Sequence, residues 1–148
     1  MPDELGRVTD RKPPFRYSAL VRVWFSDTDA QGVVYYGRYL PYFDYARTEY
    51  HRHLGPVDAG DAEFVMRAAN VEYHAPARFD DLLEVFIRVE RIGTSSMTYD
   101  HAAYRLEDDT LMVTAKQVIV LVRRDDRRPT PIPDGMRDLI HAFEHAQA

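Results

Sequence analysis

The chain contains no cysteine. Disulfide frameworks, thiolate zinc sites and a cysteine nucleophile are therefore excluded at the outset. It also lacks any apolar run near the roughly 18 residues that a membrane-spanning helix needs, and its opening MPDELGRVTDRK has no apolar segment of the signal-peptide kind. A cytoplasmic location is the expectation. There is no basic excess either: the net charge is −5, whereas nucleic-acid binding calls for clustered positive charge. Internal repeats and low-complexity tracts are missing.

What is there suits one ordinary folded domain. At 148 residues, 45% apolar and 29% charged, the chain is long enough to bury a single core and too short for two. Residues 1–15 are polar, hold Pro13 and Pro14 and show no periodicity, which reads as a flexible N-terminal arm before a single domain over 16–148. Tyr17 to Phe25 reads as a first strand. Four further strand-like runs come after a helix: Phe64 to Ala75, Leu82 to Arg91, Ser96 to Leu106 and Leu111 to Arg123. Short turns between them favour antiparallel neighbours. Asp134 is placed to cap a closing helix with an apolar stripe of Met136, Leu139, Ile140 and Phe143. The expected class is α+β, with a curved antiparallel sheet around the first helix.

That first helix belongs to the most informative stretch, RVWFSDTDAQGVVYYGRYLPYFDYARTEY over Arg22 to Tyr50. Pro41 has no N–H to donate and belongs in a first turn, so the helix starts between Gly37 and Leu40. Tyr39, Phe43, Ala46 and Tyr50 then fall on one face, thickened by Tyr42 and Tyr45. Leu54, Gly55 and Pro56 end it, with Gly55 as the cap. Asp27 and Asp29 precede a small-residue turn and face a helix start, where unpaired amides and the positive dipole end are available. In an extended chain the two carboxylates lie on one side, about 6 to 7 Å apart.

Taken together, D-x-D-x-x-G-x-V from Asp27, A-R-T-E from Ala46 and Y-x-A-P-A-R-x-D-D from Tyr73 resemble the hotdog-fold acyl-CoA thioesterases of the 4-hydroxybenzoyl-CoA thioesterase and YbgC type. The likeness spans roughly residues 17 to 125. It implies a five-stranded antiparallel sheet wrapped around a long central helix, with the C-terminal helix added. It also implies a homodimer joined edge to edge, or a pair of such dimers. By the same resemblance the catalytic carboxylate falls on Asp29, and the amide that polarises the thioester carbonyl falls on Tyr36. One departure is visible. Many YbgC-like members carry histidine where this chain has Tyr36, so a histidine proton relay at that position is absent and the aryl-CoA side of the family gains weight.

Thioester hydrolysis needs a carboxylate acting on the carbonyl carbon or on a water beside it, and donors for the developing oxyanion. Asp29 suits the first role; the backbone amides of Tyr36 and Gly37 suit the second. No metal and no separate cofactor is implied, since coenzyme A belongs to the acyl-CoA substrate. Gly32, Val33, Tyr35 and Tyr39 are the expected substrate contacts. Thr94 and Ser95 offer backbone and hydroxyl groups for pantetheine or phosphate, and Arg123 and Arg124 offer charge for phosphates. Each has a plainer alternative. An aspartate before a helix is commonly a cap, Asp27 is commonly structural, and the Arg123–Arg128 run is commonly a solvated loop. Glu49, on the enclosed helix, is the rival acid, with an ion pair to Arg47 or Arg52 as its ordinary use. His51 with His53, and His141 with His145, have no third ligand at metal-binding spacing. Two other functions fit the same fold: a non-catalytic acyl-binding protein and a hydroxyacyl dehydratase.

Overall fold

The computed structural model describes residues 5–146. Leu83, Val85, Ile87 and Val89 recur at the two-residue period of a strand, and all four side chains are buried on one face of β4, Leu82–Ile92. Around it the sheet is assembled from β1 (Gly6–Val8), β2 (Tyr17–Arg22), β3 (Ala62–Tyr73), β5 (Ser96–Arg105) and β6 (Thr110–Arg123). Their spatial order is β1-β2-β4-β5-β6-β3, antiparallel throughout. Helix α1, Tyr39–Leu54, lies against the concave face and packs chiefly on β4 and β2. Its buried face is Tyr39, Tyr42, Phe43, Ala46, Glu49 and Tyr50. The C-terminal α2, Asp134–Glu144, closes one end of the core with Ile140.

The sheet has six strands where five were expected. The sixth is β1, which comes from the segment read as a flexible arm. Backbone pairing of Gly6 to Val8 with Tyr17 to Ala19 orders it, and Glu84 anchors the arginines of the same segment. That carboxylate is 1% exposed and accepts hydrogen bonds from Arg11 Nη1 at 2.6 Å, Arg7 Nη2 at 3.2 Å and Ser18 Oγ at 2.7 Å. Burial pushes its pKa up, but the bonds from Ser18, Arg11 and Arg7 outweigh burial and hold it below the ordinary range. Phe15 packs on Phe86, and Lys12 sits over Tyr104. A proline-containing polar segment gives no periodic signal of such pairing. Residues 1–4 of the expected arm lie outside the described residues.

Boundaries shift for local reasons. The first strand stops at Arg22, because Phe25 to Asp27 turn into a 3-10 helix held by the Trp24 amide on Asp27 Oδ2, 2.9 Å. The strand after α1 starts at Ala62 rather than Phe64. Pro133, not Asp134, occupies the cap of α2, and Asp134 is its first residue. Gly55 ends α1 as expected, its amide bonded to His51 O. No described helix is long and apolar enough to cross a membrane.

Candidate active site

The site grows out of a small hairpin between β2 and α1. The amide of Asp29 bonds to Val33 O, that of Gly32 to Asp29 O, and that of Tyr35 to Asp27 O, each at 2.9 Å. Gly32 makes the reversal at φ 80°, a conformation that disfavours any side chain. The hairpin is then stitched to the segment before β4 by the Val34 amide on Ala77 O at 2.8 Å. Asp81 carries the end of that segment, accepting the Arg78 amide at 2.9 Å and Arg105 Nε at 3.3 Å. So the A-P-A-R-x-D-D run supports the acidic turn rather than lining it with charge.

Between the hairpin, the start of α1 and the end of β3 lies an open cavity of about 330 Å³. Asp29, Val33, Tyr36 and Tyr39 all line it. The Asp29 carboxylate accepts the Gln31 amide at 2.9 Å, which fixes its rotamer as an Asx turn. Its partner is thus an amide of its own turn, not one at the helix start. Tyr36 opens a 3-10 turn, Tyr36–Arg38, that leads into α1. The first backbone bond there is from Arg38 N to Tyr35 O at 2.8 Å, so the amides of Tyr36 and Gly37 stand at the head, where a helix has no acceptor of its own. A Cβ at Gly37 would sit 3.0 Å from the edge of the exposed Tyr35 ring, which would have to shift slightly to admit it.

The expected pair of carboxylates is not brought together. Asp27 Oδ2 accepts the Tyr42 hydroxyl at 2.8 Å as well as the Trp24 amide, and it faces a different cavity. The 3-10 turn at Phe25 to Asp27 breaks the extended geometry on which the pairing depended. The aromatic band divides too. Tyr36 and Tyr39 line the Asp29 cavity, and Tyr35 packs outside, tilted against Tyr36 with ring centroids 4.3 Å apart. The Tyr35 hydroxyl is raised above its ordinary pKa, first by its hydrogen bond with Tyr36 and in smaller part by the charge of Asp29. Tyr42 lines the second cavity, and Phe43 lies in the core against His101.

Besides Gln31, Val34 and Ala75, three cavity residues escaped sequence reasoning. Tyr73 donates to Tyr36 O at 3.0 Å, and Pro76 forms part of the wall. His74 reaches the cavity with Nε2 3.0 Å from Thr114 Oγ1. All three stand in the Y-x-A-P run, so the signal was present as a motif but not as a chemical role. Thr94, Ser95, Arg123 and Arg124 are elsewhere, at the far end of the sheet. Thr94 O accepts Arg137 Nη2 at 2.7 Å, Ser95 O accepts the Leu121 amide, Arg123 pairs with Asp126 at 3.1 Å and Arg124 with Glu63 at 3.5 Å. The twelve residues of β3 separate that end from Tyr73, roughly 35 to 40 Å of extended chain.

Glu49, the rival acid, is 4% exposed and does not reach the cavity. Among the described residues no group of three or more His, Asp and Glu comes together to hold a metal. A buried polar cluster lies deeper, between α1 and the sheet: His51 Nε2 is 2.5 Å from the Tyr99 hydroxyl, and Gln117 Oε1 lies 3.1 Å from His101 Nε2 and 3.0 Å from Arg47 Nη1. Burial, helped by the Arg47 charge, lowers the histidine pKa values to about 4 for His51 and about 3 for His101.

The sequence profile of the Thioesterase-like superfamily matches residues 23–140. The chain belongs to that superfamily. Within it, the chain is similar to the acyl-CoA thioester hydrolase YbgC of Escherichia coli, 36% identical over 78% of this chain and 89% of that one. It is likewise similar to the acyl-CoA thioesterase YbgC of Haemophilus influenzae, 33% identical over 84% and 94%. Among solved thioesterase structures, a probable thioesterase from Bartonella henselae superposes with a TM-score of 0.71 at 30% identity, covering 79% of this chain and 97% of that one. The 1,4-dihydroxy-2-naphthoyl-CoA thioesterase of Synechocystis superposes with a TM-score of 0.80 at 22% identity over 86% and 97%. The likeness is one of fold, and it supports the hotdog architecture of a sheet curled around a central helix.

Proposed function

We propose that this superfamily member hydrolyses an acyl-CoA thioester to a free carboxylic acid and coenzyme A. One observation carries the reading: the Asp29 carboxylate and the head of the Tyr36 turn line the same cavity. A carbonyl seated there has a carboxylate beside its carbon and the Tyr36 and Gly37 amides beside its oxygen. Asp29 acts on the carbon through a water whose proton it takes, or attacks it directly to give an acyl-enzyme anhydride that a water then hydrolyses to the free acid, restoring the carboxylate. The oxyanion collects at the amides, the C–S bond breaks, and the thiolate leaves as coenzyme A and takes up a proton. The similarity to proteins named acyl-CoA thioesterases supports the same reaction class. The ring faces of Tyr36, Tyr39 and Tyr73 around the cavity suit a flat aryl group as well as a short or medium aliphatic chain.

Association of two copies through β3 fits the same reading. Met66 to Asn70 are exposed on this edge strand, whereas the other edge, β1, is only three residues long. Antiparallel pairing of two β3 strands sets the Ala62 end of one copy beside the Tyr73 end of the other. That brings the Thr94, Ser95, Arg123 and Arg124 region of a second copy toward the mouth of the Asp29 cavity, where coenzyme A phosphates need charge. The test is a panel of aryl- and alkyl-CoA esters with free thiol as readout, run on the wild type and on Asp29→Asn. Hydrolysis lost in the variant supports the reading. A wild type inactive on every ester, or a fully active Asp29→Asn, overturns it.

A further inference from the structure

We propose that Tyr39 and Tyr42 form a fixed two-ring partition that ends the acyl cavity and sets the longest chain it admits. This rests on reading the Asp29 cavity as the acyl site. A second cavity, of about 390 Å³, lies beyond it along the first turns of α1. Leu20, Val21, Trp24 and Tyr45 give that second space mostly apolar walls. Tyr39 is a wall of the first cavity and Tyr42 a wall of the second, and their rings meet edge to face with centroids 5.8 Å apart. They are only 3% and 6% exposed, so ring atoms rather than solvent fill the division.

Both rings are pinned at their far ends. The Tyr39 hydroxyl accepts the Ala77 amide at 3.2 Å, and the Tyr42 hydroxyl donates to Asp27 at 2.8 Å. Tyr73 packs on Tyr39 from the first-cavity side, at 5.6 Å. Ala77 and Asp27 belong to the same backbone network that shapes the hairpin, so neither ring swings aside without breaking a bond the site depends on. A chain that reaches Tyr39 must therefore stop or displace a pinned ring. A chain that passed both rings would enter a space walled by Leu20, Val21, Trp24 and Tyr45, with the charged Arg22 and Asp27 also in its lining.

The experiment compares kcat/KM for butyryl-, hexanoyl-, decanoyl- and dodecanoyl-CoA in the wild type, in Tyr39→Ala/Tyr42→Ala, and in Tyr42→Phe. A single methylene is commonly worth about 10- to 200-fold in such a pocket. The double variant is expected to raise the dodecanoyl-to-butyryl ratio at least about tenfold, chiefly through KM for the long chain. Tyr42→Phe loses the bond to Asp27 but keeps the ring, with Tyr39 still held by Ala77 and Tyr73, and its ratio should stay within about threefold of wild type. A paired Tyr39→Leu/Tyr42→Leu variant serves if the alanines do not fold, since it also clears the ring edges. An unchanged ratio in a folded double variant overturns the partition, as does Tyr42→Phe shifting the ratio as far as alanine. A wild type that hydrolyses none of the four esters nor an aryl-CoA fails the thioesterase reading itself; an active wild type with an unmoved ratio fails only the partition.

Discussion

The amide of Leu5 donates to Glu49 Oε1 at 2.8 Å, while Arg52 Nε lies 3.3 Å from Glu49 Oε2. Both oxygens of the acid buried on α1 are therefore occupied in holding the N-terminal segment and the helix end. Glu49→Gln should leave kcat within a few-fold of wild type and lower unfolding free energy by about 1 to 3 kcal/mol. Urea midpoints alongside initial rates test this; a collapse of kcat at unchanged stability would transfer the chemistry to Glu49.

Asp29 presents the opposite pattern. Its structural bond is a local one to Gln31, which an asparagine oxygen can also accept. Asp29→Asn is expected to cost about two to four orders of magnitude in kcat with little change in stability. Asp27→Asn should do much less to kcat. Its effect should fall on stability, because the Trp24 amide and the Tyr42 hydroxyl both rest on Asp27.

His51 and His101 make stability depend on pH. Their folded pKa values, about 4 and about 3, lie below the ordinary histidine value of 6.5, so between those limits the unfolded chain binds more protons. Stability is then fully present above pH of about 6.5 and declines on acidification towards pH 3 to 4, by a few kcal/mol in total. Glu84, held below its ordinary range, adds to the loss at the acid end. Urea titrations from pH 7 to pH 4 should show the slope, and His101→Gln should flatten it. An equally steep slope in that variant would place the pH dependence elsewhere.

Ala69→Pro should remove a donor from the free edge of β3, where Ala69 is exposed and out of phase with the residues that bond to β6, and prevent its pairing with a second copy. Light scattering is expected to report a smaller species, with activity falling in step if a second copy completes the coenzyme A site. A wild type that runs as a folded monomer at micromolar concentration would argue against a shared site.

Periodicity made the sheet and helix legible, because Leu83 to Val89 and Tyr39 to Tyr50 carry repeats of two and 3.6 that burial enforces. Pro41 fixed the helix start to within a residue or two, since its missing N–H leaves few choices. Asp29 was legible as a candidate only through its motif; its local geometry is that of any Asx turn. What stayed hidden depended on contacts distant in sequence. The ordering of residues 5–15 relies on Glu84, the Asp27 carboxylate is turned away by Tyr42, and Thr94 and Arg123 sit at the far end of the sheet because of strand order. No local pattern encodes those pairings.

Strand order also governs the timing of folding. β3 comes directly after α1 in the chain, yet its ladder partner is β6, which ends at Arg123. During synthesis, at about 5 to 20 residues per second, β3 leaves the ribosome with no strand to pair with and waits until nearly the whole sheet has been made. The contacts that complete the fold are thus high in contact order, and loop-closure entropy slows their formation. Over that interval the unpaired edge of β3, with Met66, Ala68 and Ala69 along it, is open to pairing with other chains.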